Sequence, residues 1–452
     1  MQQHEMQTEP LYRLFLKFVL PAIISMVLAG IQGMVDGIFL GKYASTNAMA
    51  GVNIAIPYMQ TIIGCTMVIC TGSISFVGRT LGEQKKESVS KAQNIFRSSV
   101  IALLFAAFLI MFLGIFLNQT LATYMGANAV LLEDTADYIR TLSFFSPMIC
   151  FMLFFGFMAR LLGKPHLYLV ATVTCLVSNI VTDFVAIKIL QLGTTGAALA
   201  TGIAYTAGLM ITIRPFLKKS NILNIYQGKF QFKLLQHTVC NGSSEGVTSL
   251  STAVTVWLFN MALMQYAGEQ GVAAFTVINY ISNFVILVMF GVADGSGILL
   301  SYNYGAGNHE RVRNILRISL LLNFISGVLI FLIFNLCTES LIGIFLTDTP
   351  EILQLSTQGA HIYSIAFLFN GFTIMQSGYQ TALGNAVNSL LIAGSRGLIF
   401  IVIGMMILPK FFELQGVWLT MPFAEFCTIL VCIVLYFMTS RKQLLRQAHT
   451  IQ

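Results

Sequence analysis

Long apolar segments alternate with short polar connections along the whole chain. Each segment approaches or exceeds the roughly twenty residues that an α-helix needs to cross a bilayer. The pattern therefore predicts an all-α polytopic membrane protein with twelve transmembrane helices. The predicted spans are 15–41, 47–77, 93–118, 133–161, 167–190, 194–216, 238–266, 271–300, 314–338, 355–383, 387–409 and 415–438.

The second half of the chain repeats motifs of the first half in the same order. LGEQKKESV recurs as YGAGNHERV, ARLLGK recurs as QTALGN, and LGTTGAALATG recurs as ELQGVWLTMP. The glycines that align at nearly constant spacing are Gly82 with Gly305, Gly163 with Gly384, and Gly196 with Gly416. Six spans per copy is an even number, so both copies have the same orientation. The repeat predicts two parallel six-helix lobes, 1–217 and 236–452, joined by a cytoplasmic linker at 218–235.

Composition and charge agree with a membrane protein. Of the 452 residues, 56% are hydrophobic and 10% are charged, and the mean hydropathy is +0.79. The net charge of +7 does not indicate nucleic-acid binding, because nineteen Lys and Arg lie on one side of the predicted membrane and four on the other. The positive-inside rule then places both termini in the cytoplasm. The eight cysteines lie mostly in apolar runs without a CxxC and are interpreted as apolar fillers.

The first span combines features that favour a transporter. Pro21 removes a backbone hydrogen bond inside the helix and offers a place to bend. Asp36 places a carboxylate in hydrocarbon, where such residues usually mark an ion or substrate pathway. Ser25 and Gln32 share its helical face. A neighbouring small-residue strip predicts close approach of another helix and consists of Ala29, Gly33, Gly37 and Gly41.

Comparison of the two copies isolates a polar set in the first lobe. The fifth span carries Asn179 and Asp183 on one helical face, where the eleventh span has a phenylalanine and a glycine. Thr201 of the sixth span aligns with a methionine, and Asp36 aligns near a leucine or an asparagine. A structural need common to both lobes would keep such residues in both copies. The asymmetry therefore favours a functional role for Asp36, Asn179, Asp183 and Thr201.

Several motifs together resemble the multidrug and toxic compound extrusion (MATE) family over nearly the whole chain. They are LP…VDGIFLG in the first span, FVGRTLGEQ after the second, ARLLGKPH…SNIVTDF…GTTGAALATG through the fifth and sixth, and SYNYGAGNHERV and GYQTALGN in the second half. The resemblance implies two six-helix lobes around a V-shaped cavity that opens alternately to each side. It also implies export of bulky, often cationic, amphiphilic compounds, driven by inward flow of protons or sodium.

The resemblance assigns roles to single residues as well. The cation site of the family's first lobe maps onto Asp36, Asn179, Asp183 and Thr201, and Pro21 falls on a proline linked to bending of the first helix. Asp294 matches a position that is acidic or amidic in related bacterial exporters. The tenth span lacks the acid of some sodium-coupled members, and Ser243 and Glu245 depart from the family pattern, which speaks against a sodium site in the second lobe. The predicted substrate contacts are Gln32, Glu245 and Asp294.

The predicted mechanism depends on two carboxylates in one poorly solvated pocket. They repel each other, and binding a proton relieves the repulsion. The same oxygens can instead bind sodium, so the coupling ion stays open, with the proton favoured. Apolar walls with a few acids suit an amphiphilic cation. We expect no resident metal or other cofactor, contact with membrane lipids, a monomer, and a location in the bacterial cytoplasmic (inner) membrane.

Other classes of protein fit the sequence less well. A lipid-linked precursor flippase of the related superfamily is the main alternative, but it would need several Arg or Lys in the cavity to hold pyrophosphate. An intramembrane enzyme would need a nucleophile or a His-rich metal set, and a channel would need a repeated pore filter. Glu425 is interpreted as a buried acid with a structural partner, and Arg97 and Arg396 are candidate partners for the buried acids in general.

Overall fold

The computed structural model describes residues 6–338 and 350–449, and helices without any strand make up most of that part. The predicted lobes also include 1–5, 339–349 and 450–452, which lie outside the described residues. The helices are α1 (Leu11–Tyr43), α2 (Thr46–Gly82), α3 (Ser88–Phe116), α4 (Asn118–Tyr124), α5 (Leu132–Phe144), α6 (Ser146–Leu161), α7 (Pro165–Ile189), α8 (Gly193–Thr212), α9 (Phe232–Gly305), α10 (His309–Leu336), α11 (Pro350–Ser364), α12 (Phe367–Leu383), α13 (Ala386–Gly394) and α14 (Phe400–His449).

These helices of the described chain provide twelve membrane crossings, as predicted. Eight continuous apolar helices are long enough to cross a bilayer, and the bent pair α5–α6 makes a ninth. At 1.5 Å per residue, α9 would extend roughly 110 Å, more than three times the hydrocarbon thickness. It is interrupted by non-helical backbone at Gly268, as the apolar segment Ala386–Met438, formed by α13 and α14, is at Glu413. These two segments therefore supply two crossings each. The pair α11–α12 supplies the twelfth.

The structure breaks the fourth and tenth spans, which the sequence predicted to be continuous. α5 and α6 meet at a 51° bend around Phe145, and Ile365 and Ala366 separate α11 from α12. The alignment of ARLLGK with QTALGN places Phe145 opposite Ala366 in the repeat. Pro147 lies at the start of α6, but no proline lies near the second break. Proline therefore does not explain both breaks, which are a feature that the two copies of the repeat share.

The described chain forms two compact units. The first contains the described residues up to Gly246 together with Asp294–Ile315 and Ala382–Gly384. The second contains Val247–Ala293, Leu316–Thr381 and the described residues from Asn385 onward. The unit boundaries therefore cross α9, α10 and α12. The division into lobes at 218–235 remains a prediction from the repeat.

Two helices of the first unit cross with their backbones in contact. A Cβ built on Gly82 of α2 would overlap the Tyr302 carbonyl of α9, and one built on Gly305 would overlap the Arg79 carbonyl. The alignment of LGEQKKESV with YGAGNHERV places Arg79 opposite Tyr302 and Gly82 opposite Gly305. The two halves of this contact are therefore images of each other under the repeat. Glycine permits this approach because it has no Cβ.

A second crossing of this kind joins α2 to the start of α9. A Cβ on Gly72 or on Gly242 would overlap the backbone of the other helix. Polar groups surround the crossing: Asn241 donates to the Ser75 hydroxyl at 3.0 Å, and Nη1 of Arg79 donates to the same hydroxyl at 2.7 Å and to the Ala382 carbonyl at 3.0 Å. These bonds stabilise the end of the first unit at which α2 stops.

Three π-helical turns interrupt the described helices, at Phe15–Val19, Phe184–Ile189 and Ser395–Ile399. Pro21 follows the first turn closely. Because proline has no N–H, it cannot donate to the carbonyl four residues earlier, and a wider turn accommodates the missing bond. Bending of α1 at Pro21 stays a prediction.

The small-residue strip of α1 does not pack as predicted. Ala29 and Gly33 are exposed, and no described atom lies within 4 Å of a Cβ built on Gly33 or Gly37. Gly41 has a neighbour, the Met49 sulfur at 3.2 Å. The spacing identifies a surface that a helix can approach closely, but packing elsewhere on α1 decides whether one does.

The predicted linker is held against α3. Nε2 of Gln93 donates to the carbonyls of Asn224 and Gln227 at 2.6 and 2.9 Å, and its Oε1 accepts from the Asn224 N–H at 3.0 Å. Nη1 of Arg97 donates to the Ile225 carbonyl at 2.6 Å. Arg97, a candidate partner for a buried acid, therefore fixes this connection instead.

Candidate cation site

The first part of the candidate site is the inward face of α1. Ser25 is 1% exposed and Gln32 is 7% exposed, so this face is turned into the protein. Asp36 lies one turn beyond Gln32, near the end of α1. The residue as a whole is half-buried, but its Oδ1 atom is buried.

The second part comes from α7. Asn179 and Asp183 occupy successive turns, and both are completely buried. Their four-residue spacing places them on one face, as predicted. The π turn Phe184–Ile189 begins at the next residue. Such turns occur often at functional sites because one extra residue changes the direction of the side chains around it.

The third part comes from α8, whose small residues let neighbouring helices lie close. A Cβ on Gly208 would touch Cys175 of α7, and one on Gly202 would overlap the ring of Phe145. This packing buries Thr201, which is 3% exposed. Its Oγ1 donates a hydrogen bond to Oδ2 of Asp36 at 3.3 Å, so α8 and α1 meet at this carboxylate.

The four predicted residues thus meet in one cluster inside the first unit. Asp183 and Asn179 lie close enough to Asp36 for their side chains to interact with its carboxylate. Five buried atoms have no hydrogen-bond partner among the described residues: Oδ1 of Asp36, both carboxylate oxygens of Asp183 and both amide atoms of Asn179. Buried polar atoms nearly always have a partner. The presence of five such unpartnered atoms in one cluster indicates a binding position for a small ion.

The chemistry of the cluster suits a small hard cation or a proton. Two carboxylates, an amide oxygen and a hydroxyl are the oxygen ligands that hard cations prefer. Two buried like charges are costly unless something neutralises them. Tyr138 of α5 is 7% exposed and lies within electrostatic reach of both carboxylates. Sequence reasoning missed Tyr138, because nothing in its spacing links it to the acids.

The predicted substrate contacts lie on α1 and α9. Gln32 is buried one turn before Asp36, and Glu245 is half-buried on α9. Asp294, further along α9, has 22% of its side chain exposed. Their contact with substrate stays a prediction.

Arg160 differs from the sequence interpretation, which counted it among the charges of a polar connection. α6 continues to Leu161, and Arg160 is 1% exposed. Its Nη2 lies 3.8 Å from Oδ2 of Asp294. The predicted fourth span, 133–161, ends at the same residue as α6, so packing at this end of α6, and not a longer helix, buries the side chain.

Glu425 in the second unit has the structural partner that the sequence predicted. The Arg396 Nε lies 3.2 Å from its Oε1, and Thr373 donates to its Oε2 at 2.5 Å. Glu425 is completely buried. This acid is therefore neutralised within the chain, in contrast to the carboxylates of the first unit.

Comparison with known proteins agrees with the family resemblance of the sequence motifs. A sequence model of the MatE family matches residues 21–185 and again 246–406, one match in each copy of the repeat. The multidrug export protein MepA of Staphylococcus aureus (strain bovine RF122 / ET3-1) is 22% identical over 444 residues, covering 97% of each chain. MepA of Staphylococcus saprophyticus subsp. saprophyticus is 22% identical over 443 residues, with the same coverage.

Solved structures share the fold. A MOP superfamily transporter from Pyrococcus furiosus Vc1 aligns with a TM-score of 0.89 at 21% identity, covering 96% of this chain and 97% of the other. An outward-facing multidrug resistance MATE family transporter aligns with a TM-score of 0.87 at 22% identity, covering 94% and 95%. The twelve-crossing fold and its duplicated family match define a membrane transporter, not an enzyme. The chain belongs to the MatE family.

Proposed function

We propose that the protein is a secondary active exporter that antiports amphiphilic organic cations or drugs against protons or sodium. The observation that carries the proposal is the buried cluster of Asp36, Asn179, Asp183 and Thr201, with five polar atoms that lack hydrogen-bond partners among the described residues. The full-length similarity to MepA, a multidrug export protein, supports the choice of cargo. The flippase alternative lacks such a relative among these matches.

Occupancy of the cluster would drive the cycle. A cation that binds Asp36 and Asp183 removes their repulsion, and so it favours whichever arrangement brings α1 and α7 together. Release restores the repulsion and favours the other arrangement. A ligand shifts a conformational equilibrium only through such a difference in affinity. α1 can transmit the change, because it holds Asp36 near one end and the π turn with Pro21 near the other.

The proton is the favoured coupling ion and sodium the second candidate. A proton needs only the two carboxylates, whereas sodium needs further oxygen ligands around it. Arg396 already neutralises Glu425, the buried acid of the second unit. This ion pair supports a single coupling site, formed by the acids of the first unit. The distribution of Lys and Arg supports a bacterial inner-membrane orientation with both termini in the cytoplasm. One chain is sufficient for the proposed cycle.

Ethidium export from proteoliposomes tests the proposal. We expect an imposed pH gradient, or a sodium gradient at constant pH, to drive efflux by the wild-type protein. Asp36→Asn and Asp183→Asn should each lower the gradient-driven rate at least about tenfold, the effect of roughly 1.4 kcal/mol. The control is Asp137→Asn, which changes an exposed carboxylate on α5. Full gradient-driven efflux by both site variants would exclude this cluster as the coupling site.

A further inference from the structure

Arg160 and Asp294 form an ion pair that is loose at the carboxylate. Their closest atoms are 3.8 Å apart, beyond the 2.7–3.2 Å of an ordinary N–H···O hydrogen bond. The three guanidinium nitrogens of Arg160 are buried without a hydrogen-bond partner in the described part of the chain. The carboxylate therefore neutralises the guanidinium but does not fix it.

Aromatic rings hold the guanidinium more closely than the carboxylate does. Its Cζ lies 4.0 Å from the ring centre of Phe157 and 4.8 Å from that of Tyr168. Both rings are buried, at 2% and 5% exposure. Desolvated cation–π contacts of this kind stabilise a buried cation. Arg160 can therefore lose its contact with Asp294 and remain in a favourable site.

We propose that Arg160 is a tethered cation that neutralises Asp294 until a singly charged amphiphilic cation takes its place. The inference rests on the proposed function and names the substrate class that this position selects. The side chain of Asp294 is 22% exposed and that of Arg160 is 1% exposed, so an arriving molecule reaches the carboxylate first. Arg160 then remains on the rings of Phe157 and Tyr168, which it already contacts.

Charge balance explains why the incoming group is a cation. When a monocation replaces Arg160 at Asp294, the carboxylate stays neutralised, while the guanidinium gives up its counter-ion and is stabilised by the two aromatic rings. A neutral molecule would leave the pair as it is, and an anion would be repelled by Asp294. Breaking a buried pair without replacement is strongly unfavourable. The pair thus discriminates between incoming molecules by their charge.

The position of Asp294 connects this exchange to α1. The next residue, Gly295, lies so close to α1 that a Cβ on it would come within 2.6 Å of the Val19 Cα and 3.0 Å of the Phe18 carbonyl oxygen. Both atoms belong to the π turn Phe15–Val19. A change at Asp294 is therefore one residue from the helix that carries Asp36.

Equilibrium binding to the purified full-length protein tests the inference. Ethidium is the monocationic probe and Nile red the neutral one, each followed by fluorescence anisotropy. Arg160→Met should bind ethidium about five- to tenfold more tightly than the wild type, because the carboxylate has lost its resident cation. Asp294→Asn should bind it about tenfold more weakly. Arg160→Lys, which keeps the charge, should lie near the wild type, and Nile red binding should change in none of them.

A second variant covers the case in which Arg160→Met does not fold. Phe157→Leu removes one ring that receives the guanidinium, so it should weaken ethidium binding about threefold, and this effect should disappear in an Asp294→Asn background. Ethidium binding by Arg160→Met that is unchanged or weaker, with wild-type thermal unfolding, overturns the inference, as does a Phe157→Leu effect that persists without Asp294. A wild-type protein that neither binds nor transports ethidium would instead overturn the proposed function.

Discussion

The Nε of Arg396 lies 3.2 Å from Oε1 of Glu425, so the completely buried acid of the second unit carries its own cation. The first unit has the opposite arrangement, since Asp36 and Asp183 face each other with three of their four carboxylate oxygens unpartnered among the described residues. The buried acids of the two halves therefore differ in whether another side chain neutralises them. Glu425 is neutralised by a side chain of the same chain, whereas we propose that an exchangeable cation neutralises Asp36 and Asp183.

The Arg396–Glu425 pair gives a prediction about stability. Glu425→Gln leaves a buried guanidinium without its counter-ion and should lower the free energy of unfolding by about 3–5 kcal/mol. The double variant Arg396→Met with Glu425→Met should recover most of that loss. Thr373 keeps a hydrogen bond to the Asn370 carbonyl at 3.1 Å in either case. Thermal unfolding in detergent measures both variants, and additive losses in the double variant would contradict the prediction.

Thr201 gives a prediction about ion affinity. Thr201→Val keeps the shape of the side chain but removes the hydroxyl that donates to Asp36 at 3.3 Å. Hydrogen bonds to charged groups contribute about 1.5–3 kcal/mol, and this long one belongs at the lower end. We expect the coupling-ion concentration for half-maximal efflux to change about tenfold. Thr201→Ser restores the hydroxyl and serves as the control. An unchanged ion dependence in the valine variant would exclude Thr201 from the site.

The crossing of Gly82 and Gly305 gives a prediction about conformation. Gly82→Ala forces a Cβ onto the Tyr302 carbonyl, and overpacking of this kind costs about 1–3 kcal/mol. The variant should open this end of the first unit more often. A cysteine placed at Asn241, which is 4% exposed, should then react faster with maleimide in a chain whose other cysteines are replaced.

Gly33→Ala is the matched control for that experiment. No described atom lies within 4 Å of a Cβ at Gly33, so the labelling rate should not change. Equal rates in both alanine variants would show that the crossing does not hold this end closed.

Glu413 gives a prediction about backbone strain. Its φ of 46° lies in a region that favours glycine, and the residue opposite it in the repeat, Gly193, has a φ of 54°. Strain of this kind costs about 1–3 kcal/mol. Glu413→Gly should therefore raise the melting temperature, while Gly193→Ala should lower it. A lower melting temperature for Glu413→Gly would mean that the side chain contributes more than the strain costs.

Most of the fold could be predicted from the sequence, because the bilayer thickness sets the length of an apolar helix that crosses it. Hydropathy located the twelve crossings, and the order of motifs revealed the duplication. The candidate site was accessible for a related reason: Asp36, Asn179 and Asp183 are expensive in a membrane, and the second copy lacks them. The repeat comparison and the family resemblance already grouped them with Thr201, and the structure brings the four residues together.

The remaining features depend on tertiary packing that no local pattern records. The break at Ala366 has no proline, and no local pattern distinguishes the buried Arg160 at the end of α6 from the charges of the polar connections. Gly33 and Gly37 have the spacing of a packing strip, but no described atom lies within 4 Å of a Cβ built on either. Tyr138 lies on α5, before the bend at Phe145, within electrostatic reach of the acids.

Each of the three π turns lies on a helix segment that carries a buried or half-buried charge: α1 with Asp36, α7 with Asp183, and Ser395–Ile399 with Arg396 itself. A π turn contains one residue more than an α turn, so the side chains on its far side are rotated about the helix axis relative to a regular helix. The extra residue therefore helps to set the direction in which the charged side chain of each helix points.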